Sequence, residues 1–243
     1  MPISAILWDY DGTLADSSKK NIEVTLEILR HFIPNVDENV PKVLSSRSSY
    51  LDAQGRLSDW KELYRVCYGL TEKQVQEAGE MWTPTQLKNQ TLSDIFEGTD
   101  SVLKKFEHVK MGICSQNGRE EISRSLEHHG LLKHFGSIVG YGDVPYDRQK
   151  PDPTAFLLCL DELGIDDRNG TFVYVGDHSV DVAFGRNAEA ALRKSFPGAR
   201  VVCAAMHHAG YYSGDDENFP PDFTVRSPGE LLEILNQIET ETF

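Results

Sequence analysis

The chain of 243 residues carries 38 acidic against 24 basic residues, a formal net charge of −14. That excess argues against nucleic acid or an anionic membrane as a partner, because neither is drawn to such a surface at long range. With 40% hydrophobic and 26% charged residues, the chain suits one large globular domain or a domain with an insertion.

The first apolar run, Ile3–Trp8, lacks polar alternation and reads as a strand covered on both faces. Asp9-Tyr10-Asp11-Gly12-Thr13 follows at once. Asp9 and Asp11 stand two residues apart, so in extended chain they point to the same side. Gly12 lets the backbone turn sharply and approach a ligand, and Thr13 adds a hydroxyl and an N–H. One carboxylate could serve as nucleophile and the other as proton donor. An Asp/Gly turn closing a strand explains the same residues without any chemistry.

Between residues 16 and 94 the pattern turns helical. Ile22, Leu26, Leu29 and Ile33 recur at helical spacing, and Trp60, Leu63 and Cys67 suit a second helical face. Thr71 to Gln74 has capping-box spacing ahead of Val75, Ala78 and Trp82. The reading is a helical cap domain, 16–94, inserted into an α/β core built from 1–15 and 95–243, with Asp16-Ser17 as the hinge. Trp60 and Trp82 are read as cap core rather than as a stacking platform.

Further strands are predicted at Lys110–Ser115, Ser137–Gly140, Thr171–Val175, Arg200–Ala205 and Phe223–Val225. Helical patterns separate them. Ile122, Leu126 and His129 share one face, Asp152-Pro153 reads as N-cap and first helical residue of Thr154–Leu163, and Ser227 to Glu230 reads as a second capping box. Tyr211–Pro221, rich in Gly, Asp and Pro, is read as a surface loop. Alternating strand and helix predict a doubly wound parallel sheet, which binds ligands beyond the carboxyl ends of its strands.

Three more polar groups fall at such ends. Ser115 ends the second core strand, Lys150 precedes a proline and a helix start, and Asp177 with Asp181 follows the "VYVG" strand. A helix cap explains the serine and the two aspartates equally, and a solvated charge explains the lysine. As a set they could bind an anion and a hard cation such as Mg²⁺. Cys67, Cys114, Cys159 and Cys203 form no CxxC pair, and no signal-peptide pattern or membrane-length apolar run is evident. These features lead us to expect a cytoplasmic protein with reduced thiols.

At this point the sequence resembles the haloacid dehalogenase superfamily of phosphohydrolases. Asp9-Tyr10-Asp11-Gly12-Thr13 is similar to its first motif, Ser115 to its second, Lys150-Pro151 to its third, and Gly176-Asp177 with Asp181 to its fourth. "DGTLADS" is most similar to the branch of phosphoglycolate phosphatase and β-phosphoglucomutase. The resemblance implies a phosphoric monoester hydrolase acting on a small phosphorylated metabolite. Asp9 would attack phosphorus and Asp11 would protonate the leaving oxygen, then activate water. Mg²⁺ would sit on the Asp9 and Asp177 carboxylates and the Asp11 backbone carbonyl, with Asp181 in support. Gly12, Thr13, Ser115, Gln116 and Lys150 would surround the phosphate. Gln116 departs from the asparagine usual in this branch.

The acid at Asp11 favours phosphate-ester chemistry within the superfamily. A sugar phosphomutase remains an alternative, and a non-catalytic phosphoacceptor module is a more distant one. Arg47, in the cap stretch "VLSSRSSYLD", is a candidate for meeting the leaving group. His178, His207 and His208 could face the cleft or belong to ordinary loops. The particular ester and the oligomeric state are not readable.

Overall fold

The structure is a computed structural model and describes residues 2–57, 59–208 and 219–240. Its elements in chain order are β1 (Ile3–Trp8), β2 (Ala15–Asp16), α1 (Ser18–Phe32), α2 (Arg47–Gln54), α3 (Trp60–Tyr68), α4 (Glu72–Lys88), β3 (Asp94–Ile95), α5 (Thr99–Lys105), β4 (Lys110–Cys114) and α6 (Arg119–His128). Then follow β5 (Ser137–Val139), α7 (Thr154–Glu162), β6 (Thr171–Gly176), α8 (Ser179–Leu192), β7 (Arg200–Met206), β8 (Phe223–Val225) and α9 (Pro228–Thr240).

Six strands form one parallel sheet in the order β5-β4-β1-β6-β7-β8. Helices cover both faces, which is why the strands read as unbroken apolar runs. In β6, Val173 and Val175 pack on one face with residues of α5, α6 and α9. Phe172 and Tyr174 pack on the other with α7 and α8. The chain leaves β1 toward β4 and β5, then crosses back to β6. The switch in direction therefore lies between β1 and β6, where open α/β sheets place their crevice.

Residues 18–88 hold α1 to α4 around a separate apolar cluster that includes Val24, Ile28, Leu63, Tyr64 and Val75. The Thr71–Gln74 capping box is present and opens α4. A short antiparallel pair, β2 with β3, joins this helical segment to the sheet. Two residues per strand carry no periodicity, so the pair leaves no pattern in the sequence. Among the described residues no helix is long and apolar enough to cross a membrane.

Several local expectations shift. His129 ends α6 as an exposed cap residue instead of sharing the buried face of Ile122 and Leu126. Pro153, not Asp152, occupies the cap of α7, and the Asp152 carboxylate accepts from the Thr154 N–H at 3.0 Å. Ser227 accepts from the Glu230 N–H, but Glu230 reaches back to the N–H of Arg226. Of the loop Tyr211–Pro221, residues 211–218 lie outside the described residues.

Candidate active site

β1 ends at Trp8, and the Asp9 N–H still bonds to the Val175 carbonyl of β6 at 2.8 Å. The Asp9 side chain is thereby carried to the crevice between the two strands. Gly12 then turns the chain with φ of 78°, a conformation L side chains avoid. A Cβ on Gly12 would also lie 2.2 Å from Asp177 Oδ2. Only glycine lets the first loop pass this close to the carboxylate that follows β6.

Lys150 is buried between two acids. Its Nζ donates to Asp9 Oδ1 and to Asp181 Oδ1, both at 2.6 Å. Burial alone would push the ammonium down, but Asp181 and Asp9 outweigh it and raise its pKa. The Lys150 Nζ also lies 5.3 Å from the Tyr174 ring centroid and 5.5 Å from that of Phe184, which fixes it from beneath. Asp181 is fully engaged: Tyr174 Oη donates to Oδ1 at 3.2 Å and the His178 N–H to Oδ2 at 3.1 Å.

Asp9, Asp177 and Asp181 each present a carboxylate oxygen within 4.8 Å of the others. Burial raises the Asp9 pKa to about 8, opposed by Lys150 and reinforced by Asp181 and Asp11. Burial, with Asp9 and Asp181, also drives Asp177 well above the usual carboxylate range. One lysine does not balance three acids in so small a volume. An all-oxygen, negatively charged donor set of this kind fits Mg²⁺, a hard cation that prefers oxygen ligands.

Asp11 sits in different surroundings. Asn117 Nδ2 donates to its Oδ2 at 3.0 Å and Oδ1 at 3.2 Å, and Asn21 Nδ2 donates to Oδ1 at 3.3 Å. Burial raises the Asp11 pKa, while hydrogen bonds from Ser17, Asn117 and Asn21 hold it back. A carboxyl with a raised pKa, half-buried and steered by two amides, is suited to carry a proton.

A single cavity of about 150 Å³ gathers these groups. Asp9, Asp11, Gly12, Ser115, Gln116, Lys150, Asp177 and Asp181 all line it. Ser115 Oγ accepts from the Asn117 N–H at 3.2 Å, so its own hydroxyl hydrogen is available to an anion. Gln116 lines the cavity too, its Nε2 buried and without a hydrogen-bond partner among the described residues. Thr13 does not line the cavity; its hydroxyl donates to Asp177 Oδ1 at 3.4 Å.

Two readings of the helical segment need correction. Arg47 is not among the described lining residues: its guanidinium donates to Asp16 Oδ2 at 2.7 and 3.0 Å. Trp60 and Trp82 pack against the cap cluster but also line the cavity, so they are not core alone. Asn21 and Asn117 carry no local signal in the sequence, since their meeting with Asp11 depends on the fold.

The histidines divide. His178 lines the cavity, accepts from the Val180 N–H on Nδ1 at 3.3 Å and donates from Nε2 to the Gln54 carbonyl at 3.1 Å, tying β6's end to α2. His208 is buried, stacks on Phe96 at 3.6 Å and donates to the Thr13 carbonyl at 3.1 Å. His207, half-buried, pairs its N–H with the Val225 carbonyl. Neither His207 nor His208 lines the cavity.

Burial lowers the His208 pKa, opposed by its bond to Thr13 and by Asp16. A depressed histidine contributes stability above its unfolded pKa and loses it as pH falls through the folded value. Wild type is therefore expected to lose more thermal stability than His208→Gln between about pH 7 and about pH 5. Glutamine keeps a donor for Thr13 but cannot titrate. Parallel losses in melting temperature would remove His208 from this account.

The profile of the haloacid dehalogenase-like hydrolases matches residues 6–192. A pyrophosphatase PpaX of Bacillus velezensis is 26% identical over 238 residues, 96% of each chain. An N-acetylmuramic acid 6-phosphate phosphatase of Pseudomonas aeruginosa is 25% identical, covering 98% of this chain and 96% of that protein. The solved structure of a haloacid dehalogenase-like family hydrolase from Streptococcus pneumoniae superposes with a TM-score of 0.67 at 16% identity, over 96% of this chain and 98% of that one. That likeness extends to the fold.

Proposed function

The chain belongs to the haloacid dehalogenase-like hydrolases, and from that premise we propose a Mg²⁺-dependent phosphatase working through an aspartyl-phosphate on Asp9. The family and relatives named phosphatases make it an enzyme, a phosphoric monoester hydrolase. One observation carries the finer reading. Asp9, gripped by Lys150 at 2.6 Å, shares a cavity with a second acid whose surroundings differ from its own.

In this mechanism Asp9 attacks phosphorus and the bond to the ester oxygen breaks. Asp11 passes its proton to that departing oxygen. Asp11, now a carboxylate, takes a proton from water as the water attacks the aspartyl-phosphate, which frees phosphate and restores Asp9. Ser115, the Gln116 amide and Lys150 hold the phosphate oxygens in line for both displacements. Asn117 and Asn21 aim the Asp11 carboxyl at the ester oxygen. Asp9, Asp177 and the Asp11 backbone carbonyl would hold Mg²⁺, while Asp181, already engaged, keeps Lys150 in position. Bound there, the metal offsets the charge that gathers when an anionic nucleophile meets an anionic ester. The helices of residues 18–88 act as a cap over the crevice. All four cysteines are free, which supports a reducing compartment such as the cytoplasm.

The test is phosphate release from a panel of phosphate monoesters, with Mg²⁺ and after exhaustive chelation. Release that vanishes on chelation and returns with Mg²⁺ is expected. Activity that survives metal removal would sink the role of the metal. An isomerised ester without net phosphate release would turn the reading toward a phosphomutase.

A further inference from the structure

The cavity is asymmetric in chemistry. Its floor holds the acids and Lys150, while its roof, from the helical segment, presents Tyr50, Leu51, Trp60, Leu63, Tyr64 and Trp82. Resting on the phosphatase reading above, we infer that the substrate is the phosphate ester of a compact, uncharged, ring-bearing alcohol. Esters with a second anionic group, pyrophosphate included, are discriminated against.

Two observations carry this. The first is charge. Lys150 is the one lysine or arginine among the described lining residues, and Asp9 and Asp181 already hold it. Asp59 adds a further carboxylate to the roof, where it caps α3 by accepting from the Glu62 N–H at 2.8 Å. Three cations of the helical segment that do not line the cavity are held by other groups. Arg47 binds Asp16, Arg65 binds Glu72 and Lys61 donates to the Tyr146 carbonyl. A second anion carried toward the roof would meet the Asp59 carboxylate and, among the described lining residues, no lysine or arginine there, which is unfavourable in a partly desolvated site.

The second is shape. Gly79 lies inside α4, where glycine is the least favourable residue short of proline. A Cβ there would sit 2.4 Å from Tyr141 Oη and 2.9 Å from Trp60 Cη2. Its absence lets α4 close onto Tyr141, from the loop after β5, and join Trp60 to it edge-on at 6.2 Å. The outcome is an aromatic wall running from roof to core, suited to the flat or apolar face of a ring. A volume of about 150 Å³, at the small end for ligand pockets of about 300 Å³ and more, suits a compact leaving group.

The experiment measures kcat/KM for phosphate release by the full chain with Mg²⁺. Benzyl phosphate, 4-carboxybenzyl phosphate and pyrophosphate are compared, with acetyl phosphate as a small reference. The first two share leaving-group chemistry and differ by one remote charge. Benzyl phosphate is expected to exceed both anionic competitors by about tenfold or more. A smaller ratio, or no hydrolysis of benzyl phosphate while acetyl phosphate is turned over, overturns this inference and leaves the phosphatase reading standing. No turnover of any of the four removes both. Trp82→Arg, which places a cation in the roof, is expected to shift the benzyl to carboxybenzyl ratio toward the acid by about tenfold. An unmoved ratio in a folded variant counts against the wall as the source of selectivity, and the wild-type ratio decides the matter if that variant does not fold.

Discussion

Replacing Asp9 by asparagine is expected to reduce phosphate release by about 10⁴-fold or more while the protein stays folded. The amide keeps the shape of the carboxyl, so the end of β1 and its bond to Val175 need not move. What it loses is nucleophilicity. An amide oxygen does not attack phosphorus, and no neighbour can take its place: Asp181 is consumed by Lys150, Tyr174 and the His178 N–H. Asp177 is packed against Gly12, accepts from the Thr13 hydroxyl and is assigned above to the metal. Lys150 retains Asp181 as a partner, so the substitution does not strand a buried ammonium, which is the usual way such a change unfolds a protein. Activity and thermal unfolding measured on one preparation separate these effects. Near-normal release from a folded Asp9→Asn protein would refute Asp9 as the nucleophile.

The frame of the molecule was legible because its strands are covered on both sides. β1 and β8 begin and end where the apolar runs Ile3–Trp8 and Phe223–Val225 do, and the other four strands of the sheet differ at their carboxyl ends by one residue. Asp9, Ser115 and Asp177 were legible for the same reason, since each follows directly where a buried run stops. Groups brought together by tertiary packing were not. Asn117 reaches Asp11 across 106 positions and His208 reaches Thr13 across 195, and neither residue carries a local signal. Arg47 shows the converse failure. A cation in the helical segment looks like a substrate contact until Asp16, invisible as its partner in one dimension, captures it. The aromatic wall has the same origin. Trp60 reads as one position on a helical face, and only Gly79 seated against Tyr141 turns it toward the crevice.

Asp11→Asn is the second large effect and the more informative one. For an alkyl phosphate, release is expected to fall by about 10²–10⁴-fold, the usual yield of a positioned general acid. Acetyl phosphate should respond differently, because acetate leaves without needing a proton. Its first step is then nearly intact in the variant, but the second still needs a base to activate water. The expected result is a rapid burst of about one acetate per enzyme, followed by slow turnover, with phosphate retained on Asp9 and detectable by mass spectrometry of the quenched protein. The geometry adds one complication that can be checked. Asn21 and Asn117 both donate to Asp11, so an amide there leaves one donor facing another and should cost about 1–3 kcal/mol of stability. That loss lowers the melting temperature but produces no burst. A burst with retained phosphate therefore separates a proton-carrying Asp11 from one that merely braces the loop. Equal losses on both substrates, with no phosphate on the protein, would show that Asp11 does not divide the labour with Asp9.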